Sequence, residues 1–142
     1  MTADRILHRI SPGERAVVVD TIRQVLATDP DVVFAYLFGS FAEKNPFHDV
    51  DVGIFLDEAR LRGSADQRAF DLAGRLEAAL RFPVDVVALN ARPVTFRFHV
   101  YSGELFLVND ETRFAEELER TTAEYFDIEP VLRHATREAF GK

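Results

Sequence analysis

The sequence predicts an α/β fold built around a small mixed sheet flanked by helices. Three short runs rich in Val, Leu and Phe, at residues 32–38, 49–56 and 84–89, have the length and composition of buried strands. Segments with apolar residues at helical spacing separate and flank these runs. The segment between the first two runs is too short for a crossover helix, so we expect these strands to be antiparallel.

The first helix is predicted to begin at Ser11, the N-cap of a capping box that Glu14 completes. Pro12 stands in the first turn, where its missing N–H costs nothing. The apolar positions that follow recur at helical spacing: Val18, Ile22, Val25 and Leu26. Asp29–Pro30 is expected to end this helix before the first strand.

A second capping box, Ser64 with Gln67, predicts a helix that runs to about Arg81. We expect its buried face to be formed by Phe70, Ala73, Leu76 and Leu80. After the third strand, the pattern favours a short helix at 94–102 and a short extended segment at 105–108.

Asp110 is predicted to cap a long C-terminal helix. Its apolar stripe consists of Phe114, Leu118 and Tyr125. Pro130 is expected to kink or restart this helix, because proline removes a backbone donor.

Composition limits the possible functions. A chain of 142 residues with 47% hydrophobic residues predicts one domain over 1–142, with a core at about 12–108 and a helical tail at about 110–140. The absence of cysteine excludes disulfides and thiolate metal sites. A net charge of −7 disfavours direct nucleic-acid binding. No apolar run is long enough to span a bilayer, so we expect a cytoplasmic protein without membrane association.

Two carboxylates stand close together in the second predicted strand. Asp49 and Asp51 alternate onto one face, with α-carbons about 6.6 Å apart, while the Val and Ile residues between and after them face a core. Gly53 on the carboxylate face is expected to leave room beside Asp51. Such a pair repels unless it is protonated or binds a cation. The alternative interpretation is a solvated strand edge.

Asp85 interrupts an otherwise apolar strand, where an ionised carboxylate is costly unless it is paired or coordinated. If this strand lies beside residues 49–56, three carboxylates converge as ligands for two divalent ions. Gly39–Ser40, directly after the first strand, can form a turn whose N–H groups and hydroxyl hold a phosphate. Together these residues indicate phosphoryl or nucleotidyl transfer, although Asp85 alone could pair with an arginine.

The segment LFGSFAEKNPFHDVDVGIFL, followed by VDVVAL, resembles the minimal nucleotidyltransferase (MNT) group of the DNA polymerase β-like superfamily. Leu89–Asn90, Ser102–Leu105 and the combination of Arg113 with Tyr125–Asp127 resemble the antitoxin branch, whose partners are HEPN-domain RNase toxins. The resemblance covers about residues 15–135. It implies a polymerase β-like fold and transfer of AMP from ATP to a tyrosine of the toxin.

The resemblance also implies residue roles. Asp49, Asp51 and Asp85 would bind two Mg²⁺ ions, and Asp85 would help to activate the acceptor hydroxyl. Gly39 and Ser40 would hold the β- and γ-phosphates, and Lys44 is a further candidate for nucleotide binding. The segment between the Gly-Ser pair and Asp49 has eight residues where the family usually has about ten. Lys44 stands where the family commonly has Gly.

Two alternative functions remain open at this point. The first is a non-enzymatic antitoxin that inhibits a HEPN toxin by binding alone. The second is a nucleotidyltransferase with a small-molecule acceptor of the aminoglycoside type. Against the second alternative, the sequence predicts no further domain to build an acceptor site, although a homodimer could supply one. The intact acidic triad favours the enzyme over inhibition by binding alone.

Overall fold

A computed structural model describes residues 6–140, apart from the side chain of Phe140, and its elements follow the predicted order. The elements, in chain order, are α1 (Pro12–Ala27), β1 (Val32–Phe38), α2 (Gly39–Ala42), β2 (Val50–Leu56), α3 (Ala65–Leu80), β3 (Val84–Ala88), α4 (Val94–Tyr101), β4 (Glu104–Val108) and α5 (Glu111–Phe140). The short helix α2, directly after β1, is an addition to the prediction. None of the helices in this range is long and apolar enough to cross a membrane.

The four strands form one mixed sheet in the order β3-β2-β1-β4. β1 pairs with both β2 and β4 in antiparallel orientation, whereas β2 and β3 are parallel. The predicted antiparallel start and mixed sheet are therefore confirmed. This order places β3, the strand that carries Asp85, at one edge of the sheet.

Side chains pack on both faces of the sheet. On one face, α1 and α3 cover the alternate apolar positions of β2 that the sequence assigns to the core: Val50, Val52, Ile54 and Leu56. On the other face, α4 packs against an aromatic cluster that contains Phe34, Tyr36 and Phe55. The two-sided burial explains why β1, and residues 54–56 of β2, are continuous apolar runs rather than alternating ones.

The helix start signals are confirmed, but one buried face differs from the prediction. Ser11 and Glu14 form the reciprocal capping box. Ser64 caps α3 through the N–H of Gln67, but the second predicted box is only half formed, because the Gln67 side chain donates to Asp71 instead. The buried residues of α3 are Ala69, Leu72 and Leu76. Phe70, which was predicted to be buried, is 73% exposed. Ala69, which is 2% exposed, faces the sheet, and Phe70, about 100° further round the helix, faces outward.

The C-terminal helix is one element rather than two. Asp110 accepts a hydrogen bond from the N–H of Arg113, 3.1 Å away, as predicted for a cap. α5 then continues through Pro130 without interruption, so the expected restart does not occur. Proline removes a single intrahelical donor, and on this exposed stretch water can satisfy the carbonyl that is left.

A buried polar network joins α4 to α5. The Arg97 guanidinium lies 3.3 Å from the Glu117 carboxylate and donates a hydrogen bond to the Thr121 hydroxyl. Tyr101 donates its phenolic hydrogen to Glu117 at 2.8 Å. Burial, reinforced by the charge of Glu117, raises the pKa of Tyr101, so the phenol keeps this proton. Because these groups are buried, each depends on its partners for solvation.

We predict that Arg97→Ala lowers the free energy of unfolding by about 2–3 kcal/mol, because it removes the buried cation beside Glu117 and leaves only the exposed Arg120 to pair with that carboxylate. Urea denaturation followed by circular dichroism measures this change. The matched control is Arg133→Ala, which removes an exposed i,i+4 pair with Glu129 and should leave the free energy of unfolding nearly unchanged. Equal losses in the two variants would contradict a special role for Arg97.

Candidate active site

Asp51 and Asp85 lie side by side at the exposed end of the β2–β3 pair. They are register partners in adjacent parallel strands, which places their α-carbons about 5 Å apart and their side chains on the same face. Both carboxylates line one cavity. The predicted meeting of these two strands is thus confirmed, and it brings two acidic groups to the same opening.

Gly39 is fitted directly against one of these carboxylates. The antiparallel register pairs Phe38 with Asp51, so the residue after Phe38 reaches the Asp51 side chain as the strand ends. A Cβ atom on Gly39 would overlap Oδ2 of Asp51. Gly39 also has a φ of +76°, a left-handed conformation that favours glycine. Both the contact with Asp51 and the backbone conformation therefore favour glycine here. Ser40 follows in the first turn of α2 and is half-buried.

Asp49 directly precedes β2, and its side chain is half-buried. Within residues 6–140, no group of three His, Cys, Asp or Glu side chains is arranged to hold a metal ion. The pair Asp51 and Asp85 nevertheless fits Mg²⁺ in its donor chemistry, because this ion commonly takes one or two carboxylates and completes its coordination with substrate phosphates and water. The full three-carboxylate set stays a prediction.

Aromatic and apolar side chains complete the cavity beside the two carboxylates. Phe38 and Phe96 meet edge to face, with ring centroids 5.9 Å apart at 88°. Val87 and Pro93 also line the cavity. An opening with acidic groups and adjacent apolar walls can accept a ligand that combines a charged group with a flat ring.

Sequence reasoning missed Arg92, the cation among the residues that line this cavity. Its Nη2 donates to Oδ1 of Asp66 at 3.1 Å, which links the segment after β3 to the start of α3. Arg97 donates from Nη1 to the main-chain carbonyl oxygen of Arg92 at 2.6 Å. The buried network between α4 and α5 therefore also fixes the position of the Arg92 backbone, which forms part of the cavity wall. An Arg-Pro pair just after the strand that carries Asp85 was the available indication.

Two sequence expectations near the site change in the structure. Gly53 does not leave room beside Asp51, since the space where its side chain would lie is filled by Val100 and Leu89. Lys44 lines a different cavity, together with Arg15 and Phe41. Its φ of 64° is left-handed, so this position keeps the backbone conformation for which glycine is best suited.

Comparison with known protein families now identifies the class of protein. The model of the polymerase beta nucleotidyltransferase family matches residues 20–112, which include the sheet, Gly39, Ser40 and all three predicted acids. The chain belongs to this family, as its motifs indicated. Comparison with curated proteins gives no significant match.

Solved structures of toxin–antitoxin complexes share the fold. One chain of the complex between tri-AMPylated Shewanella oneidensis HEPN toxin and MNT antitoxin has 20% identity and a TM-score of 0.60, covering 89% of this chain and 94% of its own. A toxin–antitoxin structure with AMP-PNP matches at 17% identity and a TM-score of 0.56, covering 86% and 98%. One chain of the MntA–HepT complex matches at 16% identity and a TM-score of 0.53, covering 89% of this chain and 99% of its own. The resemblance in fold is confirmed.

We predict that Gly39→Ala is more destabilising than Gly63→Ala. Both glycines have positive φ, but an added Cβ meets Asp51 only at position 39 and has no atom within 4 Å at position 63. Both variants should lose about 1–2 kcal/mol of unfolding free energy from the backbone. Gly39→Ala should lose about 1 kcal/mol or more in addition, from overpacking against the carboxylate. Urea denaturation of the two variants in parallel gives the difference, and equal losses would refute the contact.

Proposed function

We propose that this protein is a Mg²⁺-dependent antitoxin that transfers AMP from ATP to a tyrosine of a HEPN-domain RNase toxin. The observation that carries the proposal is the register of Asp51 with Asp85 beside Gly39, in a member of the nucleotidyltransferase family. The chain shares its fold with an MNT antitoxin whose HEPN partner is tri-AMPylated, which supports a HEPN toxin as the acceptor. It also shares its fold with a complex that contains AMP-PNP, which supports ATP as the donor.

The acidic residues would hold the metal and the donor nucleotide. Asp49, Asp51 and Asp85 are the proposed ligands of two Mg²⁺ ions, and Gly39 and Ser40 would hold the β- and γ-phosphates. Bound Mg²⁺ would neutralise charge on the triphosphate and make its α-phosphorus more electrophilic. Phe38 and Phe96 offer an apolar wall for the base. A role for Lys44 in nucleotide binding stays a prediction, because this residue lines the other cavity.

The reaction needs little more than positioning and charge compensation. The phenolic oxygen of the acceptor attacks the α-phosphorus of ATP and forms a new P–O bond. The bond from the α-phosphorus to the bridging oxygen breaks, and pyrophosphate leaves with the electron pair. Asp85 would accept the phenolic proton, and because its side chain is exposed it can pass this proton to water.

We predict that Asp85→Asn lowers the rate of AMP transfer at least about 100-fold, because an amide cannot accept the proton of the acceptor hydroxyl. The assay uses α-labelled ATP, Mg²⁺ and the protein encoded next to this chain, with label on that protein as the readout. Asp71→Asn, an exposed carboxylate on α3, is the control and should retain the wild-type rate.

The same assay separates the alternatives. Protection of RNA by the wild-type protein without any label on the partner would favour inhibition by binding alone. Label on an added aminoglycoside, with none on the protein partner, would favour a small-molecule transferase. Wild-type transfer in Asp85→Asn would refute the assignment of Asp85.

A further inference from the structure

A groove runs along the free edge of the sheet, between α3 and β3. One wall consists of Ala69, Phe70, Ala73 and Gly74 of α3, and the other includes Val86 and Asp85 of β3. Small residues of α3 border this groove, and outside the helix's own backbone and chain neighbours no atom lies within 4 Å of the point where a side chain of Gly74 would begin. The groove is therefore open at Gly74.

The groove is continuous with the cavity of the candidate active site. Asp85 and Arg92 line both of them. The ion pair between Arg92 and Asp66 crosses from the segment after β3 to α3, so it borders both openings. Asp85 shares the face of Asp51, opposite α3, so a molecule in the groove would reach a nucleotide in the cavity by passing around the free edge of β3 at Asp85, the residue assigned to the acceptor hydroxyl.

Phe70 presents an apolar surface to this groove. Its side chain is 73% exposed, the largest exposure among the large apolar residues of the described range. Beside it, Ala69, Ala73 and Gly74 are too small to shield the ring. Burying such a ring against a partner is a favourable contribution to binding.

The groove is also acidic. Its net negative charge comes from Glu77 and Asp85, because Arg92 and Asp66 balance each other in their ion pair. Glu77 accepts a hydrogen bond from the N–H of Val84 at 2.9 Å, so it occupies part of the strand edge. This contact disfavours the pairing of another strand with the edge of β3. A segment in the groove would therefore be held by side-chain contacts rather than by backbone hydrogen bonds.

We propose that this groove binds the acceptor: an extended segment of the partner protein with an apolar side chain against Phe70 and a basic residue near its tyrosine. The inference rests on the proposed function and extends it to the binding of the second substrate. The edge of β3 at Asp85, which the groove and the cavity share, would bring the acceptor hydroxyl toward the donor, and the carboxylates of Glu77 and Asp85 would attract the basic residue of the segment. The bonds formed and broken are those of AMP transfer given above.

The first experiment compares Phe70→Ser with Val17→Ser, in which an equally apolar and 65% exposed residue on α1 is replaced. Initial rates with α-labelled ATP are measured against the concentration of partner protein and, separately, of ATP. Phe70→Ser should raise the KM for the partner about 10-fold and leave the KM for ATP within about twofold. Val17→Ser should leave both unchanged.

The second experiment fills the groove from Gly74. Gly74→Arg adds a long cationic side chain, whereas Gly74→Ala adds one methyl group into open space, and neither alters a buried contact. Both variants should fold, since glycine in a helix is less favourable than either residue. Gly74→Arg should raise the KM for the partner at least about 10-fold, and Gly74→Ala should behave as the wild type.

The outcomes separate this inference from the proposed function. Transfer by the wild type with an unchanged KM in Phe70→Ser and Gly74→Arg would overturn the groove and retain the transferase. If the wild type transfers no label, the transferase fails, and calorimetric titration of the same variants with the partner decides the groove. A partner affinity equal to that of the wild type in both variants would then overturn it, as would the absence of any binding.

Discussion

The position of the Asp51 carboxylate depends on two strand registers at once. The antiparallel pairing of β2 with β1 places Asp51 opposite Phe38, so that the turn at Gly39 closes against its side chain. The parallel pairing of β2 with β3 places Asp85 beside it. Because side chains alternate along a strand, a shift of one residue in either pairing would turn one acid to the opposite face. The candidate site therefore exists only where both registers hold.

The wall of the site is held by a part of the chain that is distant in sequence. Arg97 donates to the carbonyl oxygen of Arg92 and, on its other side, contacts Glu117 and Thr121 of α5. The orientation of the segment after β3 consequently depends on the docking of the C-terminal helix. This dependence gives α5 a role beyond covering the aromatic cluster, since movement of the helix would displace Arg97 and with it the cavity wall.

The sequence was sufficient for features that depend on local patterns. Capping boxes located the helix starts, and alternation assigned Asp51 and the apolar residues of β2 to opposite faces. Prediction from the sequence failed for features that depend on how the elements pack against each other. Phe70 was assigned to the buried face of α3 by helical spacing, yet the rotation of the helix on the sheet buries Ala69 and leaves Phe70 exposed. The occupation of the space beside Gly53 by Val100, and the role of Arg92, depend on α4, whose position no local pattern encodes.

Positions 39 and 44 show which requirement of the turn is strict. Both have left-handed backbone, with φ of 76° and 64°, and the strain of this conformation alone costs a non-glycine residue about 1–2 kcal/mol. Lys44 adopts this conformation despite its side chain, on an exposed loop. Position 39 could bear it as well if the backbone were the only constraint. What excludes a side chain there is the Asp51 carboxylate, which occupies the space of a Cβ. The glycine before Ser40 is thus a requirement of the acidic site and not merely of the turn.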